Sequence, residues 1–483
     1  MEIPETADGW PALCGHEDAV AAAVSRPPAP PAAAAGPAPR AAWGIALHMH
    51  QPLIPAGGDD LRAAGVISNL KHMMDHQGTG DNHNAPVFLW CYRRMAGLIP
   101  EMADAGARPR VMLDYSGTLL WGLRQMGEGG VLDELRRMTC DPRYLECVEW
   151  LGTAWGHAVA PSTPPADYAR HVAAWQTHFA SLFGLEALSR VKGFSPSEMA
   201  LPADPDVAHA FVRSLREAGF TWVLVQEHTV EDPATGQGLA NPRVPHRLEC
   251  RDRQGRLAEI TCLVKTQGSD TKLVAQMQPC YEARGLGPAA LPGGQAIPPY
   301  AVQIGDGENG GVMMNEFPGM FRQAMREASG TDVPPMNGTG YLEMLARLGV
   351  REGDFPKAQP RWQKLLFDQC PPGPGATPEA MKEAQARAKA VDGRFHMDGG
   401  TWTDDISWVK GYESLLGPME RVSALFAERT RGAAPGGERY RRALFHLLCS
   451  QTSCYRYWGQ GVWVEYGKEI CRRAEEALEG GFA

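Results

Sequence analysis

WGIALHMHQP, residues 43–52, runs from an apolar stretch straight into two histidines and a proline. Residues 43–49 have the length and aliphatic content of a buried strand. Proline cannot donate to a ladder, so Pro52 ends it. If the strand carries through its last residues, His48 and His50 face the same side, because strand side chains repeat every two residues. They are read three ways: hydrogen-bonded structural histidines, two metal ligands, or a polar wall against a substrate.

Similar short apolar runs follow at 110–115, 146–151, 191–195, 221–226, 257–264 and 300–304. Helical patterns separate most of them, at 87–103, 119–138, 166–183 and 206–218. The last has Asp204 as a cap, Pro205 at its first position and Gly219 past its end. Repeated strand–helix order implies parallel strands covered by helices. No clear helix separates the sixth and seventh runs. Seven strands suit a barrel or an open doubly wound sheet.

After about residue 320 the periodicity turns helical, at 320–329, 340–348, 378–390, 412–428, 437–449 and 463–478. The expected organisation is therefore an α/β unit over 43–330, a barrel or an open sheet, and a mainly helical region over 331–483 that contributes to the cleft. Residues 21–42, AAAVSRPPAPPAAAAGPAPRAA, offer little apolar area to bury. Residues 1–42 are expected to form a disordered arm.

In parallel α/β folds, reacting groups gather where strands end and loops begin. The strand exits are His48-Met49-His50-Gln51, Asp114-Tyr115-Ser116, Trp155-Gly156-His157, Ser195-Pro196-Ser197-Glu198, Gln226-Glu227-His228 and Asp306-Gly307-Glu308. Glu198 and Asp306 stand at rims, each beyond an apolar run. Asp114 reads equally as a loop anchor, and Asp306-Gly307 also as a plain turn. Residues 396–408, HMDGGTWTDDISW, set Asp398, Asp404 and Asp405 among Trp402 and Trp408. Indole faces cover the apolar faces of sugars and carboxylates accept from hydroxyls, so this segment suits a sugar subsite. Its plain reading is a packed loop. Tyr455, Tyr457, Trp458 and Trp463 read as packing. Residues 71–83 hold His72, Asp75, His76, Asp81 and His83, a polar loop or a metal tract.

Composition excludes some functions. The net charge is -9 and no basic face is evident, so nucleic acid is not an expected partner. Arg441-Arg442 and Arg472-Arg473 read as solvated helix positions. No apolar run reaches the length of a membrane helix. The acidic start, MEIPETADGW, lacks the basic and apolar regions of a secretory signal. The eleven cysteines form no CxxC pair, as in a reduced, cytoplasmic protein. GxGxxG after the first strand, GxxxxGK[ST], GxSxG and HExxH are all absent. Association with further copies of the chain is not set by the sequence.

These motifs resemble glycoside hydrolase family 57, which acts on α-glucans and includes α-amylases, 4-α-glucanotransferases, branching enzymes and amylopullulanases. His50-Gln51-Pro52 resembles its first region and Trp150-Leu151-Gly152 through His157 its second. Gly193-Phe194-Ser195-Pro196-Ser197-Glu198 resembles the third, and Asp306-Gly307-Glu308 is similar to the fourth. Residues 396–408 stand for the fifth. The chain departs from the family in lacking a Trp close before Glu198 and in carrying Asn309-Gly310-Gly311 after the fourth region.

The resemblance implies an incomplete seven-stranded (β/α) barrel and a retaining glycosidase or transglycosidase. Glu198 would be the nucleophile and Asp306 the general acid/base. Substrate contacts would come from His48, His50, Gln51, Asp114, Trp155, His157, Glu308, Asp398, Trp402, Asp404 and Trp408. The partner would be an oligosaccharide or polysaccharide, with no metal and no cofactor required. Two other readings stay open: a metal-dependent hydrolase like polysaccharide deacetylases, built on His48, His50 and a carboxylate, and a catalytically silent carbohydrate-binding protein.

Overall fold

Apolar side chains alternate between two destinations along every long strand of the central sheet. The computed structural model describes residues 2–26, 38–57, 60–266, 271–308, 315–403, 405–407, 413–457 and 461–479. Its main sheet comprises β1 (Ala42–Met49), β2 (Val111–Tyr115), β3 (Val148–Gly152), β4 (Gly193–Phe194), β5 (Trp222–Gln226), β6 (Val230–Glu231), β7 (His246–Arg251), β8 (Leu257–Lys265), β9 (Tyr300–Asp306) and β10 (Lys357–Pro360). The spatial order is β6-β10-β7-β8-β5-β4-β3-β2-β1-β9. The block from β8 to β9 is wholly parallel and contains seven strands.

These seven are the seven apolar runs of the sequence. The sheet curls until its ends approach, and Gln303 of β9 donates to the Thr266 carbonyl just past β8 at 2.7 Å. That side-chain link stands where a closed barrel would have a ladder. The architecture is α/β, with a curled, incomplete barrel.

Trp43, Ile45, Leu47 and Met49 of β1 pack outward with the helices, whereas Ala42 and Ala46 belong to an inner cluster. Met112, Leu151, Trp222, Leu224, Leu263, Val302 and Ile304 share that inner cluster. The period of two carries the inner face on to His48, Asp114, Gln226, Lys265 and Asp306 at the strand ends. The barrel is thus oily in its lower layers and polar at its mouth. The helix Gly338–Arg347 closes the opposite end: Tyr341 stacks on Tyr300 with ring centroids 4.4 Å apart.

Helices α1 (Glu17–Val24), α2 (Ala85–Asp104), α3 (Gly117–Gln125), α4 (Gly129–Cys140), α5 (Pro165–Phe183), α6 (Pro205–Glu217), α7 (Gly338–Arg347), α8 (Gly437–Ser450) and α9 (Val462–Leu478) surround or extend the sheet. Asp204 caps α6 by accepting from the Asp206 and Val207 amides. Two short helices, Thr271–Ala275 and Gln278–Arg284, lie between β8 and β9, where the sequence shows no clear helical period.

The expected arm over 1–42 is corrected for residues 2–26. Thr6–Ala7 pairs with Trp10–Pro11, α1 follows, and Ile3, Leu13, Val20 and Val24 are buried in the main core. These side chains supply the apolar area that the alanine–proline run lacks. Residues 27–37 of that run lie outside the described residues. β7 and β10 are strands that the apolar-run reading passes over. β10 lies in the C-terminal region yet pairs with β7, so that region is not helical throughout. No helix among the described residues is long and apolar enough to cross a membrane.

Candidate active site

Three parallel strands bring three polar side chains level at the mouth. In register, Asp306 of β9 lies opposite His48 of β1, and His48 opposite Asp114 of β2. Level residues on neighbouring parallel strands point the same way. Asp114 is fully buried and its Oδ2 lies 3.0 Å from His48 Nδ1. His48 Nε2 lies 2.8 Å from His157 Nε2, and His157 Nδ1 2.8 Å from Ser453 Oγ.

Burial pulls His48 down, but the carboxylates of Asp114, Asp306 and Glu308 outweigh it and hold the ring at about 10. His157 is driven well down by burial and by the neighbouring His50 and His48. His48 is therefore the cation and donates from both nitrogens, to Asp114 and to neutral His157. His157 then donates from Nδ1 to Ser453. His50 stacks on His157 with centroids 3.9 Å apart. Its Nδ1 meets Ser116 Oγ at 2.8 Å and its Nε2 meets Cys454 Sγ at 3.3 Å. Burial pushes the Cys454 thiol up to about 12, so its S–H donates and His50 carries its proton on Nδ1.

All six ring nitrogens of these histidines thus have protein partners. They do not converge on one point, as metal ligands must. Among the described residues no three His, Cys, Asp or Glu side chains form such a cluster, the 71–83 segment included. There Lys71 pairs with Asp75, and His76 Nδ1 bonds the His72 carbonyl.

Glu198 enters from the exit of β4. Its backbone sits in the left-handed region (φ 58°, ψ 21°), as do Met199 (φ 53°) and His157 (φ 56°). Non-glycine residues there each cost about 1–3 kcal/mol and persist only when their surroundings fix them. The fixing contacts are present. The Glu198 carbonyl accepts from the Trp402 amide at 3.2 Å, and the His157 carbonyl from the Ser453 amide at 3.1 Å. Trp402 Nε1 donates to Glu198 Oε2 at 2.7 Å. Glu198 Oε1 lies 3.9 Å from His157 Nδ1, and Ser453 also hydrogen-bonds this carboxylate. His228, at the exit of β5, holds the Trp402 loop by donating to the Thr401 and Thr403 carbonyls.

Burial raises Glu198 to about 7, helped by the charge of Asp306; His48, Trp402 and Ser453 oppose the rise. Glu308 is raised to about 8 by burial and by Asp306. Three carboxyl groups therefore share one small volume beside one cation, and like charges so placed cannot all ionise.

Five expected substrate contacts are withdrawn from the cleft surface. Trp155 is fully buried and gives its indole N–H to His178 at 3.0 Å, so it is a packing residue. Gln51 is buried between Tyr92 and Asn69. Asp114 and His50 are buried and orient other rings. His157, also buried, acts through Ser453 and Glu198. His48, Glu308 and Trp402 keep partial exposure at the mouth. Asp398 is half-buried beside His396. Asp404, Trp408 and Trp458 lie outside the described residues.

Ser453 and Cys454 carry no motif and follow α8, which only the tertiary fold brings to the mouth. Tyr457, read as packing, is 42% exposed. Burial and then the charges of Glu198 and Asp306 raise its phenol, so its ring lies near both carboxylates. Tyr455 is packing as expected, fully buried with its hydroxyl on the Leu53 carbonyl.

The sequence of residues 45–250 matches glycosyl hydrolase family 57. That segment, less than half of the chain, is what is similar to the family. It includes most of β1, all of β2 to β5, and Glu198; Asp306 and Trp402 lie beyond it and join it through the contacts above. Among solved structures, the 4-alpha-glucanotransferase from Thermococcus litoralis matches with a TM-score of 0.54 at 17% identity, over 91% of this chain and 59% of its own. This chain thus spans less than two thirds of that protein, and the likeness is one of fold. A GH57-type branching enzyme from Pyrococcus horikoshii matches at 12% identity over 90% of this chain and 88% of its own, with a TM-score of 0.47. An exo-type maltose-forming amylase from Pyrococcus sp. ST04 matches at 13% identity over 90% and 72%, with a TM-score of 0.48. No curated protein matches.

The Trp402 contact gives a first prediction. A hydrogen bond to an ionised group is worth about 1.5–3 kcal/mol. Trp402→Phe should lower kcat/KM about 10- to 100-fold at neutral pH. A nucleophilic Glu198 must be ionised, so kcat/KM should rise with pH along an acidic limb set by Glu198, below about 7 once Asp306 carries the proton and no longer raises it. Losing the indole donor disfavours the anion, so that limb should move to higher pH. An unmoved limb in the variant would separate Trp402 from Glu198 function.

Proposed function

We propose that this chain is a retaining glycoside hydrolase or transglycosidase acting on α-linked glucans or oligosaccharides. The observation that carries the reading is Glu198, held in a strained backbone conformation with Trp402 on its carboxylate and Asp306 close enough to raise its pKa. Strain of this kind clusters at reacting groups.

In the first step the Glu198 carboxylate attacks the anomeric carbon while the glycosidic C–O bond breaks. The leaving oxygen takes the proton of Asp306, as in two-carboxylate retaining catalysis. In the second step a water or an acceptor hydroxyl gives its proton to Asp306. Its oxygen bonds to the anomeric carbon, and Glu198 leaves as carboxylate. The α configuration is inverted twice and so retained.

The division sets a condition on the charges of the site. The step requires Asp306 protonated and Glu198 ionised. With Asp306 protonated, its contribution to the raised Glu198 pKa disappears, and Trp402, Ser453 and the His48 cation then favour the Glu198 anion. Asp114 keeps His48 charged, and His157 and Ser453 connect that pair to Glu198. The exposed ring of Tyr457 would offer a face to a sugar beside the cleaved bond.

End-labelled malto-oligosaccharides test the reading. Shortened products alone would mean hydrolysis, and shortened with lengthened products would mean transfer. No change in chain length across α-linked substrates, with binding retained, would overturn it in favour of a silent binder.

A further inference from the structure

Arg442, Arg472 and Arg473, which read in sequence as solvated helix positions, line a surface cavity of about 530 Å³ together with Arg62. The cavity is walled by β-paired Trp10, by Trp121 of α3 and by Phe445 of α8; none of the proposed catalytic residues lines it. Its volume is that of a small-molecule site.

The charge balance is unusual for a chain of net charge -9. Four guanidinium groups line the cavity with one carboxylate, Glu476, and a second, Glu469, pairs with two of them, which leaves the balance positive. Arg472 bonds Glu469 and Glu476, while Arg473 bonds Glu469 and the Leu61 and Ala64 carbonyls. Those bonds fix two guanidinium groups in place. Arg62 and Arg442 form no ion pair among the described residues, and both are exposed. His446 adds no further positive charge, because burial lowers it to about 4.

The walls are aromatic. Trp10 packs against Phe445 with centroids 4.9 Å apart. Trp121 is 7% exposed, and its indole nitrogen has no hydrogen-bond partner among the described residues. A buried indole N–H ordinarily finds an acceptor. The N-terminal segment, expected as an arm, is what brings Trp10 to this wall.

We propose that this cavity binds a small organic phosphate, a phosphoryl group joined to a ring. Arginine forks match phosphate oxygens in pairs, and an indole face covers a planar base or the apolar face of a sugar. Sugar phosphates and nucleoside monophosphates share this chemistry.

Calorimetric titration of the full chain with glucose 6-phosphate, with AMP and with inorganic phosphate tests the proposal. The expected result is saturable binding of one or both organic phosphates, about tenfold or more tighter than inorganic phosphate. Whichever binds tighter names the source. Arg442→Glu and Arg62→Glu, at exposed positions, should each weaken that binding at least about tenfold with the circular dichroism spectrum unchanged. Arg442→Gln is the milder variant should a reversed charge disturb α8. Absence of saturable binding at millimolar ligand, equal affinity for inorganic phosphate, or indifference to the arginine variants would each overturn it.

Discussion

Glu198→Gln is expected to reduce turnover of malto-oligosaccharides by about four orders of magnitude or more, the scale seen when a covalent nucleophile is removed. The substitution is nearly isosteric. The amide oxygen can still accept from Trp402 Nε1, and the backbone can keep the carbonyl bond to the Trp402 amide. The fold and sugar binding should therefore persist while the attacking oxygen is lost. Near-normal turnover would sink the assignment. A second variant separates nucleophile from acid. Glu198→Ala opens space beside the anomeric carbon, and added azide should restore cleavage by attacking from the vacated face. The glycosyl azide should have the β configuration, opposite to the substrate, because only one inversion has occurred.

Asp306→Asn should cost about 10²- to 10⁴-fold on malto-oligosaccharides, the usual contribution of a positioned general acid. The loss should be much smaller on an α-glucosyl fluoride, since fluoride departs without a full proton transfer. That contrast decides between Asp306 and Glu308. Glu308 sits two residues on, raised to about 8 by burial and by Asp306, and no described residue bonds its buried Oε2. Its carboxyl is thus biased towards the protonated form and resembles an acid on pKa grounds alone. Asp306 is the more exposed of the two and lies in register with His48 at the barrel mouth. Glu308→Gln keeps a neutral, hydrogen-bonding side chain and should lose less than about tenfold on either substrate. If Glu308→Gln shows the leaving-group dependence and Asp306→Asn does not, the two roles are exchanged.

The seven parallel strands were legible because each is a short apolar run, buried on both sides and bounded by a polar exit. The exits named His48, Asp114, Glu198 and Asp306 by one rule, the gathering of polar groups at the C-terminal ends of parallel strands. The rule does not say which exit residues face the cleft. Trp155 and Gln51 belong to exits and yet turn into packing, since sequence spacing does not show the partners His178, Tyr92 and Asn69. Strands β7 and β10 escaped because their residues mix charge with apolar character. HRLECR and KAQP carry no period strong enough to stand out.

Glu198 and Asp306 are therefore what the sequence by itself determined: two acids at the ends of two strands, each fixed by local pattern. Only the tertiary structure decided what surrounds them. Trp402 reaches Glu198 across a sequence separation of 204, and Ser453 reaches His157 across 296. Such contacts depend on how the curled sheet and the C-terminal helices close over its mouth. Neighbouring carboxylates then hold a proton on His48 against its burial, while burial and mutual repulsion make the carboxyl groups compete for ionisation. A strand's period is written in neighbouring residues, whereas desolvation is a property of everything packed around a group.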